Sequence, residues 1–306
     1  MSNADGTITW RQLHAEAVRR LTHDSLGDPA ECEMDARRII ERASGFEGAD
    51  YVLGLDEAAT ERGVHYFDVM LGRRLTGEPL QYVVGRWGFR TLDLLVDKRV
   101  LIPRPETESV AGWAISELEF LRPHAVTNER RLLAVDLGTG SGAIGLAIAT
   151  ECARVDVWLT DESPEALAVA QANLTGIGGA GTSVRIGVGS WFEALPAELA
   201  GTVDVIVSNP PYVADDDELP SVVRDWEPGS ALFAGVDGLD DLRVIVAEAS
   251  AWLHPRGSLV LEMAPMQVDA VADLARSAGF VDVEIRSDLT GRNRGVVARR
   301  VHRNGD

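Results

Sequence analysis

Predicted strands and helices alternate along this sequence from Leu132 onward. Seven short runs rich in Val, Ile and Leu are typical of buried strands, and the segments between several of them have the apolar spacing of helices. The predicted strands are 132–136, 155–160, 183–188, 203–208, 257–262, 281–286 and 294–300. The predicted helices are 142–150, 164–174, 239–253 and 266–278. This alternation predicts an α/β domain with a mostly parallel sheet.

The first 75 residues have a different pattern, which predicts a small helical bundle. Thr9 is a candidate N-cap, and another helix is expected at 66–75, closed by Gly77. Apolar residues share one face in the first two predicted helices: Leu13, Ala17, Val18 and Leu21, then Met34, Ala36, Ile39, Ile40 and Ala43. Alternating apolar residues and central glycines at 80–96 then indicate a β-hairpin. We therefore expect a helical domain at 1–78, a hairpin linker at 79–100 and the α/β domain at 101–306.

Asn209-Pro210-Pro211-Tyr212 follows the predicted strand 203–208 directly. The two prolines cannot donate to the hydrogen-bond ladder, so the strand ends there. An Asn amide, free carbonyls and an aromatic face are then gathered at one point. This set suits a planar group with an NH2, which needs acceptors in its plane and a ring over its face. It does not suit a hydrolase, because it contains neither a nucleophile nor a base.

A glycine-rich turn, Gly138-Thr139-Gly140-Ser141-Gly142, follows the first strand of the α/β domain. Glycines there permit a tight turn and let a ligand lie against the backbone. The pattern by itself fits NAD enzymes, S-adenosylmethionine enzymes or a packing turn. Asp136 favours S-adenosylmethionine, because a carboxylate at this strand end can hold a ligand's ammonium group directly or through water.

Two further residues lie where a nucleoside would be held. Asp161 ends the second strand, 19 residues after Gly142, and is expected to accept hydrogen bonds from the ribose hydroxyls. The alternative is that Asp161 caps the helix that starts at Ser163-Pro164. Trp191 follows the third strand and either covers an adenine ring or belongs to the core.

Acidic residues dominate the part of the chain that carries these motifs. The net charge is −19, and 31 acidic and 16 basic side chains follow residue 100, against 17 and 13 before it. Nucleic acids are bound by Lys and Arg that neutralise phosphates, so we expect no direct nucleic-acid partner. The acidity fits a basic protein partner or simple solubility. The same two interpretations apply to the acidic run Asp215-Asp216-Asp217-Glu218.

The composition gives no indication of a membrane protein or a metalloprotein. No run of 18 uncharged apolar residues occurs, and Met1 to Trp10 lacks the basic region and apolar core of a signal peptide. Cys32 and Cys152 are far apart and are expected to be reduced thiols. The six histidines show no metal-ligand spacing. We therefore expect a cytoplasmic protein without a metal.

Taken together, these motifs resemble the class I S-adenosylmethionine-dependent methyltransferases. Asn-Pro-Pro-Tyr is typical of those that methylate a conjugated nitrogen in adenine, guanine or a glutamine amide, and it does not separate the three. Leu101-Ile102-Pro103-Arg104-Pro105-Glu106-Thr107-Glu108, with the helical domain and hairpin before it, is similar to the HemK/PrmC-type glutamine methyltransferases of peptide chain release factors. The similarity continues through Glu78-Pro79-Leu80-Gln81-Tyr82, Trp226-Glu227-Pro228, Ala231-Leu232 and Asp288-Leu289-Thr290-Gly291-Arg292.

The resemblance implies a Rossmann-like seven-stranded methyltransferase domain that uses S-adenosyl-L-methionine and releases S-adenosyl-L-homocysteine. It also implies class I release factors as the protein substrate, methylated at the glutamine of Gly-Gly-Gln and gripped in part by the helical domain. A ribosomal-protein glutamine or a nucleic-acid base are the alternative acceptors. The sequence departs from the family at Ser190, where an Asp is frequent, and at Met263-Ala264-Pro265, where Ile-Gly is usual.

Roles are assigned to residues on the same basis. We expect the Asn209 side-chain oxygen and the Pro210 carbonyl to accept the two N–H bonds of the glutamine amide, and Tyr212 to pack over it. The expected substrate-binding residues are Asn209, Pro210, Pro211 and Tyr212. The expected cofactor-binding residues are Asp136, Gly138, Thr139, Gly140, Ser141, Gly142, Asp161, Trp191 and Asn209. The segment with Arg104, Glu106 and Thr107 either starts a helix or contacts the substrate.

Overall fold

A computed structural model describes residues 7–24, 27–127 and 129–301. Residues 1–6 and 302–306, where the first predicted domain begins and the last one ends, lie outside the described residues, as does much of the Met1 to Trp10 segment. The described residues form two compact units. One contains the chain up to Arg86 together with Ser221–Trp226, and the other contains Trp87–Pro220 and the chain from Glu227 onward.

Helices build the first unit. Its helices before residue 86 are α1 (Trp10–His23), α2 (Pro29–Ser44), α3 (Gly48–Gly54), α4 (Glu61–Leu75) and α5 (Leu80–Val84). Thr9 caps α1 as predicted, because its hydroxyl accepts from the Gln12 N–H while the Gln12 side chain accepts from the Thr9 N–H. Buried side chains from α1, α2 and α4 form one apolar core, which includes Leu13, Ile39 and Phe67.

Two details of the first four helices differ from the sequence prediction. Met34 is 59% exposed, whereas Cys32 and Ala36 belong to the buried face of α2. Met34 is two positions from each of them, which places it on the opposite face of the helix. The predicted helix 66–75 begins earlier, at Glu61. Gly63 weakens the helical signal there, but only glycine fits, because a Cβ would lie 2.4 Å from the Trp10 ring.

The β-hairpin is shorter than predicted. It consists of β1 (Arg86–Phe89) and β2 (Leu92–Leu95), while Leu80–Val84 forms the short helix α5. Four of the five α5 side chains are buried, so the run predicted to be part of a strand forms a helix that is apolar on most sides. Gly85 ends the helix in the left-handed conformation, with φ of 71°.

The second unit carries the α/β architecture, and the predicted fold class is confirmed. Its sheet strands are β3 (Leu132–Leu137), β4 (Val155–Asp161), β5 (Val184–Val188), β6 (Val203–Ser208), β7 (Leu253–Glu262), β8 (Asp282–Ser287) and β9 (Asn293–Arg299). Its helices are α6 (Thr107–Thr127), α7 (Ala143–Glu151), α8 (Pro164–Gly176), α10 (Asp240–Trp252) and α11 (Val268–Ser277). The short helix α9 (Ser221–Arg224) belongs to the first unit.

Within the described residues, these seven strands form one sheet in the order β5-β4-β3-β6-β7-β9-β8. Strands β3 to β7 pair in parallel, and β9 is antiparallel to both of its neighbours. The chain builds outward from β3 in one direction and from β6 in the other. The β3–β6 pair is therefore the topological switch point, where ligands of open α/β sheets bind at the carboxyl ends of the strands.

None of the helices in the described ranges combines the length and the apolar composition needed to cross a bilayer.

Candidate active site

The glycine turn and the Asn-Pro-Pro-Tyr segment leave neighbouring strands at the same level. Leu137 and Ser208, the last residues of β3 and β6, are paired in register, and the Ser208 hydroxyl donates to the Leu137 carbonyl at 2.7 Å. A cleft of about 1160 Å³, open mouth included, begins where these strands end. This is the position expected of a small-molecule site in an open α/β sheet.

Three glycines of the turn require left-handed backbone. Gly138, Gly140 and Gly142 have φ of 68°, 55° and 86°, a region that side-chain-bearing residues rarely adopt. Gly142 lies outside the cleft lining and forms the start of α7 instead. Gly145 completes a G-x-x-G spacing after it, because a Cβ there would lie 2.1 Å from the Leu159 side chain. The spacing thus serves helix–strand packing as well as the cleft.

Asp136 is buried at the base of the turn and lines the cleft. Its Oδ2 accepts from the Thr139 hydroxyl at 2.6 Å and from the Gly145 N–H at 2.9 Å. Burial raises the pKa of Asp136 to about 7, although these two hydrogen bonds oppose the rise. One carboxylate oxygen therefore holds the shape of the turn.

Asp161 ends β4 and lines the same cleft. Its Oδ2 accepts from the Gly140 N–H and its Oδ1 from the Ser163 N–H, both at 2.9 Å. The alternative interpretation, in which Asp161 caps α8, is wrong: Ser163 is the N-cap, and its hydroxyl accepts from the Ala166 N–H at 3.1 Å. Burial raises the pKa of Asp161, against the backbone N–H groups that stabilise its charge.

Trp191 lines the cleft while the residue after it enters the core. Phe192 is buried and stacks on Trp252, with ring centroids 5.7 Å apart. Trp191 is partly buried and has an unusual left-handed φ of 44°. Its indole lies close to Gly138, since a Cβ added to Gly138 would be 3.3 Å from the ring. Such backbone strain in a non-glycine residue is typical of functional sites.

Asn209 and Pro211 line the cleft, whereas Pro210 is buried and Tyr212 does not line it. The Asn209 Nδ2 donates to the Thr107 hydroxyl at 3.3 Å. Its Oδ1 is buried and accepts no hydrogen bond from any described residue. A buried acceptor without a donor is rare in folded proteins and indicates a partner that the chain itself does not supply.

Two other segments of the same unit fix the position of Tyr212. Its hydroxyl donates to the Glu262 carboxylate at 3.3 Å, and its carbonyl accepts from the Gln267 side chain at 2.9 Å. Burial, helped by the charge of Glu262, raises the pKa of the Tyr212 hydroxyl, which therefore stays protonated. The ring position is thus fixed independently of any ligand.

Several cleft residues lie outside the glycine turn and the strand ends. One group lines it from the segment before α6 and from the first residue of that helix: Arg99, Leu101, Pro103 and Thr107. A second group lines it from the region before and at the start of α10: Pro228, Ser230, Ala231 and Asp241. Local sequence gives no strand-end or glycine signal for these positions. The family resemblance did include 101–108, Pro228 and Ala231, so that comparison was the available signal for them.

A partly buried ion pair connects the 101–108 segment to the chain after α9. Arg104 and Glu227 are 2.6 Å apart, and the second Glu227 oxygen accepts from the Ile102 N–H at 3.2 Å. The Glu227 side chain is nearly inaccessible. The pair joins two segments that are separated by 123 residues of sequence.

The remaining candidates do not contribute to the cleft. Asp215 to Glu218 are exposed and do not line it. Cys32 and Cys152 are buried free thiols. Across the described ranges, no group of three or more His, Cys, Asp or Glu side chains is arranged to hold a metal ion.

Family profiles match both parts of the chain. The Methyltransferase small domain profile matches residues 119–226, and the PrmC N-terminal domain profile matches residues 12–85. Among solved structures, the hMettl16 catalytic domain in complex with MAT2A 3'UTR hairpin 1 has a TM-score of 0.54, at 16% identity, over 76% of this chain and 79% of that one. This likeness concerns the fold alone.

Curated relatives match over most of their length. The release factor glutamine methyltransferase of Deinococcus radiodurans is 38% identical over 95% of this chain and 98% of its own. The protein of the same name from Xylella fastidiosa strain Temecula1 is 44% identical over 80% of this chain and 83% of its own. The chain therefore belongs to the release factor glutamine methyltransferase family.

Proposed function

We propose that this protein transfers a methyl group from S-adenosyl-L-methionine to the side-chain amide nitrogen of the glutamine in the Gly-Gly-Gln motif of class I peptide chain release factors. Family membership supports the reaction and the class of substrate. The observation that carries the assignment to this site is the buried Asn209 Oδ1, which lacks a donor at the edge of the cleft. A carboxamide NH2 is a donor of the required kind.

The residues of the cleft fit S-adenosyl-L-methionine. When bound, this cofactor supplies a methyl group that is already activated by a positively charged sulfur. Each Asp161 oxygen accepts one backbone N–H and keeps a lone pair, so the carboxylate can also accept from the ribose hydroxyls. Trp191 offers a ring face for the adenine, and Asp136 a negative charge for the ammonium group. The Gly138 to Ser141 backbone permits close approach.

Asn209 and its neighbours would orient the acceptor amide. The Asn209 Oδ1 accepts one N–H and the Pro210 carbonyl accepts the other, which fixes the plane of the glutamine amide. Both contacts favour electron density on a nitrogen whose lone pair is otherwise delocalised into its carbonyl. Tyr212 packs over the amide and stabilises developing positive charge with its ring face. No residue has to remove a proton beforehand, since the proton can leave after transfer.

The rest of the chain suits a protein substrate. We assign part of the grip on the release factor to the helical domain, residues 1–78, which contains most of the match to the PrmC N-terminal domain. The excess of acidic side chains after residue 100 disfavours a direct nucleic-acid substrate. Because the proposed substrate is a translation factor, we place the protein in the cytoplasm.

The proposal is tested by offering three classes of acceptor in parallel. The protein is incubated with cofactor labelled in its methyl group and with purified release factor, ribosomal proteins or DNA. We expect label in the release factor, with little label in the other two. Label confined to ribosomal proteins or to DNA would overturn the substrate assignment while leaving the methyltransferase activity established.

A further inference from the structure

Behind Asn209 lies a buried polar cluster to which three distant segments contribute. Thr107 begins α6 and is 4% exposed, Glu262 ends β7 and is fully buried, and Tyr212 follows the Asn-Pro-Pro turn. Thr107 and Asn209 are separated by 102 residues, so the fold brings them together. Buried polar groups cost free energy unless they are paired, and this cluster lies beside the proposed reacting centre.

The contact between Asn209 and Thr107 determines which end of the Asn209 amide is free. With Nδ2 donating to the Thr107 hydroxyl oxygen at 3.3 Å, Oδ1 is left without a donor. A half-turn of the amide would place Oδ1 at Thr107 and leave Nδ2 free instead. Nδ2 can only donate, so the turned side chain could not accept an N–H from an acceptor amide.

The Thr107 hydroxyl is suited to hold the amide in this orientation. A hydroxyl has one proton to donate and two lone pairs with which to accept. In this contact the hydroxyl oxygen accepts from the Asn209 Nδ2. The neighbouring Glu262 carboxylate accepts from the Tyr212 hydroxyl at Oε1, and its Oε2 has no hydrogen-bond partner among the described residues.

We infer that Thr107 is a positioning residue for methyl transfer: its hydroxyl accepts from the Asn209 Nδ2 and holds the amide with Oδ1 free to accept. The inference rests on the proposed function, because it assumes that the Asn209 oxygen receives an N–H of the methylated amide. Thr107 itself need not touch the reacting atoms.

A purely structural role for Thr107 is the alternative. Its backbone N–H donates to the Arg104 carbonyl at 3.1 Å in the turn that starts α6, and a residue there can matter only for helix formation. The two roles differ in what a substitution changes. A helix-start role depends on the backbone and affects stability, whereas the positioning role depends on the hydroxyl and acts through Asn209.

The test compares Thr107→Val, which keeps the side-chain shape without the hydroxyl, with Thr107→Ser, which keeps the hydroxyl. We expect Thr107→Val to lower kcat for release-factor methylation by roughly 10-fold to 100-fold, with a smaller change in KM, and Thr107→Ser to retain most of the activity. Equal kcat values for Thr107→Val and the unsubstituted protein would overturn the inference. Equally poor activity of both variants would assign Thr107 the structural role.

A double-mutant cycle separates positioning from destabilisation. If Thr107 acts through Asn209, Thr107→Val should have almost no further effect on kcat in a protein that already carries Asn209→Ala. The same fold-loss in both backgrounds would show that Thr107 acts independently of Asn209 and would contradict the inference.

A measurement without turnover keeps this inference distinct from the proposed function. Hydrogen exchange of the Asn209 Nδ2 protons, followed by NMR, reports the Thr107 contact directly. We expect slow exchange in the unsubstituted protein and in Thr107→Ser, and faster exchange in Thr107→Val. Equal rates in all three proteins would refute the positioning role, even if the release factor is methylated. Absence of release-factor methylation with the expected exchange pattern would instead refute the substrate.

Discussion

At the scale of single residues, the chemistry depends on polar atoms whose partners are set by the fold. Asn209 lies at a strand end, donates to Thr107 and has a buried oxygen without a donor. Sequence reasoning predicted that this oxygen accepts from a substrate. It did not predict the Thr107 contact, because a side chain 102 residues away becomes a neighbour only through the order of the strands.

Asn209→Ala should mainly lower kcat, because it removes the proposed acceptor at the reacting centre. We expect a loss of roughly 10² to 10³-fold, the range found when one positioned polar group of an active site is removed. Steady-state methylation of the release factor measures it. Asn293→Ala, at an exposed position at the start of β9, is the matched control and should leave kcat unchanged. An unaltered kcat for Asn209→Ala would exclude the positioning role.

Asp161→Asn should weaken cofactor binding. An amide leaves only one acceptor oxygen where two now accept N–H bonds, and it places a donor opposite either Gly140 or Ser163. The expected loss is roughly 1–3 kcal/mol of binding free energy, measured by calorimetry. Asp156→Asn is the control on the same strand, since Asp156 pairs with Arg131 outside the cleft. Equal affinity of the two variants would remove Asp161 from the cofactor site.

At the scale of elements, strands were predicted more reliably than short helices. Most of the sheet strands are short apolar runs between turn residues, so local pattern decides them. The apolar run Leu80–Val84 is too short for its period to separate helix from strand, and its burial in the helical unit decides the outcome. The sequence pattern did not predict the early start of α4, because Gly63 has a low helix propensity. Glycine is required there by packing, since a side chain would collide with the Trp10 ring.

Two glycines near the end of α4 allow a matched test of backbone conformation. Gly72 is an exposed position inside the helix, and Gly77 lies just after it with φ of 89°; an added Cβ would meet nothing within 4 Å at either position. Gly72→Ala should raise the free energy of unfolding by about 0.5–1 kcal/mol, and Gly77→Ala should lower it by about 1–2 kcal/mol. Urea denaturation measures both. Changes of the same sign would contradict this account of the two positions.

At the scale of the whole molecule, topology could be predicted and the lining of the cleft only in part. The glycine turn, Asp161, Trp191 and Asn209 all follow strands, so a parallel sheet gathers them at one edge. Thr107 and Asp241 reach the same cleft from elements whose packing the sequence pattern does not specify. The Arg104–Glu227 pair shows how such segments are fixed by contacts between distant parts of the chain.

Buried carboxyl groups should make the stability of the protein fall as pH rises. Burial raises the pKa of Glu262 from 4.5 to about 7, with Glu106 adding to the rise and Arg294 and the two hydroxyls opposing it. Asp136 is shifted in the same direction, also to about 7. The folded state therefore binds more protons than the unfolded state between the two pKa values, so this contribution is present at low pH and is lost as pH rises toward 7.

Glu262→Gln should flatten that dependence. The difference in free energy of unfolding between Glu262→Gln and the unsubstituted protein should change with pH. It should shift in favour of the variant by roughly 1–3 kcal/mol as the pH rises from about 5 to about 7.5. Urea denaturation at both pH values provides the comparison. Glu198→Gln, at an exposed position, should show no such trend. A constant difference between Glu262→Gln and the unsubstituted protein would contradict the assigned ionisation.

The central claim is that the Asn209 site methylates a glutamine amide in Gly-Gly-Gln. The most direct test is tandem mass spectrometry of release factor treated with the unsubstituted protein and, in parallel, with Asn209→Ala. We expect one added methyl group on the side chain of that glutamine, formed by the unsubstituted protein and strongly reduced with the variant. A methyl group on any other residue, or equal methylation by both proteins, would contradict it.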